Sequence, residues 1–392
     1  MEQGTITAGV APFTNHLPVR VRFGEGASLE LGDVLAAHGA RRVLLVTDAG
    51  LDARNPAAAV AIDALGGVER FDKPPGEPAI DVVDDAARAV ARARPDAIVA
   101  LGGGSVIDTA KAARLCAQQG AAFREVVASG RPFPEPDVAL VAVPTTAGTG
   151  SEVSGGAVIT DPDATRKAGI AAPTLRAQDA VVDPLLTHTV PPDATAHAGV
   201  DALAQAIAGM VARVRTPIGD AIALEAIRLI GGALPRAVRD GSDAAARAEM
   251  ACGSLMAGLT MNIADCAAEH SLAQAIGGRF HAPHGLTVGV VLPAALERER
   301  RLVPAQLERV ADALGVPQDG SGDGSRAVRG VRALLSEVSF PVLRSLGVGE
   351  GDLDALTALA AEDFFHTQSP EPWTQAELRA AFEAALAEEA WA

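Results

Sequence analysis

The stretch Ala97-Ile98-Val99-Ala100-Leu101-Gly102-Gly103-Gly104-Ser105-Val106-Ile107-Asp108-Thr109-Ala110-Lys111 reads as strand, glycine turn and helix in immediate succession. The apolar run has no polar alternation, which suits a strand buried on both faces. The glycines that follow let backbone N–H groups approach a phosphate, and a helix start favours negative charge there. A bare connecting turn is the competing reading, and GGGS is not the GxGxxG spacing of a standard Rossmann turn. Two further apolar runs flank this one, Arg42-Val43-Leu44-Leu45-Val46-Thr47 and Val138-Ala139-Leu140-Val141-Ala142-Val143. Between them Val82, Val83, Ala86, Ala87 and Val90 recur at helical spacing within 81–94. Alternating strands and helices predict a parallel sheet with helices on both faces.

Near residue 190 the pattern changes. Thr189-Val190-Pro191-Pro192-Asp193 reads as a linker and helix start, and the rest is mostly helical, rich in Ala and Leu. The expected organisation is an α/β domain over 1–190 and a helical domain over 191–392. The 392 residues carry a net charge of -16, the opposite sign from that of a typical nucleic-acid or anionic-membrane binder. Hydrophobic residues at 48% and charged residues at 21% describe a globular chain. No run of eighteen apolar residues is present, and Met1-Glu2-Gln3-Gly4 lacks a leader's basic and apolar regions. Cys116, Cys252 and Cys266 show no CxxC spacing, which fits a reducing cytoplasm. There is no tyrosine, so a tyrosine proton donor is excluded.

Polar residues cluster at the ends of the apolar runs. Pro144-Thr145-Thr146-Ala147-Gly148-Thr149-Gly150-Ser151-Glu152 follows the third run, where open α/β sheets bind ligands. Asp48 ends the first run; it suits the two ribose hydroxyls of an adenosine, or equally the N-cap of the next helix. In the second half, Asp201 and Gln205 share a helix face, as do His270 and Gln274, and His284 follows at Pro283-His284-Gly285. One carboxylate and two imidazoles suit Fe(II), Zn(II) or Mn(II). Taken singly, each of these residues also has an ordinary structural role open to it. His281 and His366 rank behind them as lining residues.

Four motifs together carry a resemblance. They are Gly102-Gly103-Gly104-Ser105-Val106-Ile107-Asp108, Pro144 through Val153, Gly199-Val200-Asp201-Ala202-Leu203, and Gly277 through Gly285. In this order and spacing the chain is similar to the iron-containing (group III) alcohol dehydrogenases, from about Val21 to the C-terminal helices. The resemblance implies a Rossmann-like, dinucleotide-binding α/β domain and an all-α C-terminal domain, an architecture shared more distantly with dehydroquinate synthase. It implies an NAD-dependent, metal-containing alcohol dehydrogenase or aldehyde reductase acting on a small primary alcohol, and assembled as a homodimer or larger. Gly103, Gly104, Ser105 and Asp108 would meet the pyrophosphate, and Thr145, Thr146 and Thr149 the phosphate and nicotinamide side. Lys167 would reach the nicotinamide ribose, and Asp48 stands where NAD-preferring members keep an acid. Asp201, His270 and His284 match the ligands of a divalent metal, Fe2+ or Zn2+, with Gln205 where the family has a third His. Gln274 replaces a His associated with proton transfer, which leaves metal-bound water, the cofactor ribose or His281 for that task. Two alternatives stay open: a metal-independent maleylacetate-type reductase, and a non-catalytic NAD-binding scaffold.

Overall fold

The computed structural model describes residues 12–161 and 167–391, the side chains of 167 and 168 excepted. The amino-terminal segment judged to lack a leader and the side chain of Lys167 lie outside the described residues. The first half comprises β1 (Arg20–Phe23), α1 (Leu31–Ala37), β2 (Val43–Asp48), α2 (Leu51–Arg54), α3 (Pro56–Ala64), β3 (Glu69–Lys73), α4 (Ile80–Ala93) and β4 (Ala97–Gly102). It continues through α5 (Gly104–Gln119), α6 (Phe123–Ala128), β5 (Ala139–Pro144), the pair β6 (Gly156–Thr160) and β7 (Lys167–Ala171), and β8 (Asp179–Val182).

Six strands form one sheet in the order β1-β8-β5-β4-β2-β3, every pairing parallel, and β6 and β7 make a separate antiparallel ribbon. The unbroken apolar runs are accounted for by burial on both faces. Leu44, Val46, Ile98, Ala100, Leu140 and Ala142 pack with residues of α4, α5 and α6 on one side. Leu45, Val99, Leu101, Val141 and Val143 pack with residues of α1 and α3 on the other. Successive side chains of one strand therefore feed two different cores.

From Pro192 onward the described chain is helical: α7 (Pro192–Val211), α8 (Pro217–Arg239), α9 (Ala244–Ala264), α10 (Ala268–Phe280), α11 (His284–Glu299), α12 (Pro304–Ala313), α13 (Ser325–Glu337), α14 (Leu353–Glu362) and α15 (Gln375–Ala387). α7 is buried along most of its length, and its small residues let neighbours approach closely. A Cβ on Gly199 would meet Leu234 of α8, and one on Gly209 would meet Thr260 of α9. One continuous apolar core runs through α7–α15.

Candidate active site between the sheet and the helical bundle

The turns after β4 and β5 converge as their neighbouring strands dictate. A Cβ on Gly104 would lie 2.5 Å from Thr149 Oγ1, and one on Gly103 would lie 3.5 Å from Thr146 Oγ1. At Gly104 a side chain would collide with Thr149, whereas the space at Gly103 is that of ordinary contact. Gly103 is the N-cap of α5 and has no side chain to cap it; the amides of Val106 and Ile107 donate to Gly103 O, which leaves those of Gly104 and Ser105 for an anion. The loop 145–152 reaches across to the helical half. A Cβ on Gly148 would be 2.7 Å from Ala198 Cβ on α7, and one on Gly150, whose φ is +62°, would be 2.5 Å from Gly258 Cα on α9.

Asp108 joins α5 to the second loop. Its Oδ1 accepts from Ser151 Oγ at 2.5 Å and its Oδ2 from Val158 N at 2.9 Å. Four residues beyond Gly104, one helical turn into α5, it meets the loop that follows β5. Both oxygens thus hold the 145–152 loop and β6 against α5. Lys111, fully buried, donates to Ser151 Oγ at 2.9 Å and Gly156 O at 2.8 Å. Burial pushes the Lys111 ammonium down to about 8 and pushes the Asp108 carboxyl up.

Asp48 ends β2, and its Oδ1 lies 3.3 Å from the buried Nζ of Lys73 at the end of β3. Lys73 also donates to Pro74 O at 2.8 Å and Gly76 O at 2.7 Å. The N-cap of the following helix is Gly50, so the capping reading of Asp48 is corrected.

On the helical side, α7, α10 and α11 bring Asp201, His270 and His284 together. His270 Nε2 lies 3.6 Å and His284 Nε2 3.7 Å from the same Asp201 Oδ1. These separations are too long for good hydrogen bonds. Ligands at 2.0–2.2 Å around one tetrahedral ion would be about 3.4 Å apart. Asp201 Oδ1 is buried with no hydrogen-bond partner, and so is Gln205 Oε1. The amide of Gln205 donates instead to Asp201 Oδ2 at 3.2 Å and Thr149 O at 3.4 Å. Orphaned acceptors in a dry site are costly unless a cation meets them. The geometry and donor set therefore fit a divalent metal.

His270 is the most enclosed of the imidazoles. Its Nδ1 lies 2.8 Å from Glu269 Oε1, and its ring meets Phe365 edge-on at 5.8 Å. Burial opposes charge on the ring, but Cys266, Asp201 and Glu269 outweigh it and raise the pKa well above the ordinary imidazole value. Burial pushes the Cys266 thiol up to about 11. Gln274 is half-buried one turn further along α10. His281 is exposed, in the left-handed conformation that ends α10, with φ 53°. His366 follows Phe365 in a short turn, and its backbone N–H donates to Ser271 Oγ at 2.8 Å. Of the histidines, only His270 and His284 join the carboxylate among the described residues.

Lys73, Lys111 and Glu269 escaped the sequence reading. Each is a charged residue inside or beside an apolar or mixed segment, and what betrays it is burial, which no local pattern encodes.

Comparison with known proteins identifies the family. The chain matches the iron-containing alcohol dehydrogenase model over 18–184 and the C-terminal domain model of that family over 195–386. It belongs to the iron-containing alcohol dehydrogenase family, and is an NAD-dependent, metal-containing oxidoreductase of alcohols and aldehydes. A choline dehydrogenase of Bacillus subtilis is 33% identical, covering 89% of each chain. An NAD-dependent methanol dehydrogenase of Bacillus methanolicus is 34% identical, covering 90% of this chain and 94% of that one. Among solved structures, a 1,3-propanediol oxidoreductase superposes with a TM-score of 0.88 at 31% identity, covering 96% of this chain and all of that one.

Proposed function

We propose that this enzyme interconverts a small primary alcohol and its aldehyde in the crevice between residues 1–190 and the helical unit 191–392. The reading is supported above all by the orphaned Asp201 Oδ1, with two imidazole nitrogens at 3.6 and 3.7 Å, beside the Thr149 loop. Asp201, His270 and His284 would hold the divalent metal, Fe2+ or Zn2+, with Gln205 Oε1 beside them. Gly103, Gly104, Ser105, Thr145, Thr146 and Thr149 would hold the dinucleotide phosphates and nicotinamide side, Lys167 the nicotinamide ribose, and Asp48 the adenosine ribose. When bound, the dinucleotide carries the hydride and the metal polarises the substrate C–O bond.

The residues of the chain do the positioning. Gly103 and Gly104 open the first turn of α5 to an anion, and Asp108 with Lys111 holds the Thr145–Glu152 loop in place. Gln205 ties that loop to Asp201 through Thr149 O, so the two halves of the site are set relative to one another. Phe365 shields one side of His270 from water. His281, exposed at the end of α10, lies outside the ligand set. No helix among the described residues is long and apolar enough to cross a membrane. The acidic chain and its free thiols accord with a cytoplasmic enzyme, and the family resemblance with a homodimer or larger assembly.

NADH oxidation across a panel of short aldehydes tests the reading. Turnover abolished by a chelator and restored by Fe(II) or Zn(II) is the expected result. Chelator-resistant reduction of oxoacids in place of aldehydes would overturn it.

A further inference from the structure

We propose that Glu269 is a positioning residue for the metal centre. Its buried carboxylate fixes the tautomer of His270 and strengthens that imidazole as a ligand, offsetting the neutral amide of Gln205. The inference rests on the reading that Asp201, His270 and His284 hold a divalent cation.

Glu269 is only 4% exposed, and among the described residues no lysine or arginine pairs with it. Its Oε1 is 2.8 Å from His270 Nδ1 and also accepts from Ala267 N at 3.2 Å. Facing a carboxylate, Nδ1 carries a proton and donates it, so Nε2, on the side of Asp201 Oδ1, is the nitrogen left to bind a cation in place of its own proton. A carboxylate hydrogen-bonded behind a metal-binding imidazole orients the ring and raises its basicity. A buried carboxylate that faces only an imidazole is expensive, and a divalent ion on Nε2 would compensate it across the ring. Asp201 and Glu269 together bring two negative charges, which one divalent ion cancels. Gln205, the residue at the family's third-imidazole position, leaves its oxygen unpartnered beside Asp201. A site with one imidazole fewer gains most from a stronger donor among those that remain.

The competing role is local: Glu269 sits in the first turn of α10 and accepts from Ala267 N as a capping acid does. Glu269→Gln separates the two, because the amide oxygen still accepts both hydrogen bonds and only the charge is lost. Zn(II) titrated into metal-freed protein against a chromophoric chelator gives the affinity. E269Q is expected to bind zinc about 10–100-fold more weakly, with the melting temperature of the metal-free protein unchanged within about 2 °C. Adding Gln205→His to E269Q is expected to recover most of the lost affinity. Zinc affinity of folded E269Q within about twofold of the unaltered protein would overturn the role of Glu269 alone. An unaltered protein that takes up no zinc overturns the metal reading itself, and this inference with it. Should E269Q fail to fold, the unaltered zinc-loaded protein still decides. A strongly downfield, slowly exchanging His270 Nδ1 proton is expected in its NMR spectrum, and its absence refutes the proposal.

Discussion

His284 is the most open of the three converging side chains, 31% exposed against 3% for Asp201 and 4% for His270. It can therefore be truncated with little loss of packing. His284→Ala is expected to lose metal and at least about 100-fold in turnover while still binding NADH, since a Lewis acid is worth several kcal/mol in such reactions. Elemental analysis and NADH fluorescence read the two effects separately, and full turnover without metal would exclude the Lewis-acid role. Asp48 invites a second test because of its neighbour. Its carboxylate repels a 2′-phosphate, whereas the Lys73 ammonium 3.3 Å away would attract one once Asp48 is gone. Asp48→Gly is expected to raise the NADP to NAD ratio of kcat/KM at least about tenfold, a shift of about 1.4 kcal/mol. Lys73→Met added to it should return most of that gain. An unchanged ratio in the single variant would remove Asp48 from the ribose site.

At the scale of elements, close contacts between helices decide whether the ligands meet. A Cβ on Gly285 would come within 2.2 Å of His197 O and 3.3 Å of Asp201 Cβ. The start of α11 is thus pressed onto α7, which is what carries His284 to Asp201. Gly285→Ala must push the two helices apart, at a cost of about 1–3 kcal/mol in stability. Weakened zinc uptake together with a lower melting temperature is the expected outcome; unchanged uptake would show that α7 and α11 can separate without disturbing the ligands. The elements themselves were partly legible. The runs read as strands at 42–47, 97–101 and 138–143 correspond to β2, β4 and β5, each displaced or extended by a residue. The helix read over 81–94 is α4. β3, with the sequence Glu69-Arg70-Phe71-Asp72-Lys73, left no such trace, because an edge strand buries only part of its surface.

On the scale of the whole molecule, one ion would tie together three helices, α7, α10 and α11, and through Thr149 the loop that leaves the sheet. Binding to the folded chain alone stabilises it by mass action, about 2.7 kcal/mol at free metal 100 times Kd. The melting temperature of chelator-treated protein is accordingly expected to rise by several degrees on addition of Zn(II) and to do so less in His284→Ala. Equal melting curves with and without metal would deny the ion a structural role.

Sequence alone determined the fold class and the identity of the candidate ligands. Apolar runs, glycine turns and helical spacing are local properties, and the four motifs keep their order along the chain. The convergence of Asp201, His270 and His284 depended on the packing of three helices whose relative placement no local pattern specifies. The same is true of Asp108, whose carboxylate the fold engages with Ser151 and Val158. Glu269 adjoins His270 in the chain, yet helical periodicity separates neighbours by about 100°. Only the seating of the His270 ring between Asp201 and α10 brings its Nδ1 onto that carboxylate. Burial and side-chain direction arise from long-range contacts, and these exist only once the chain has folded.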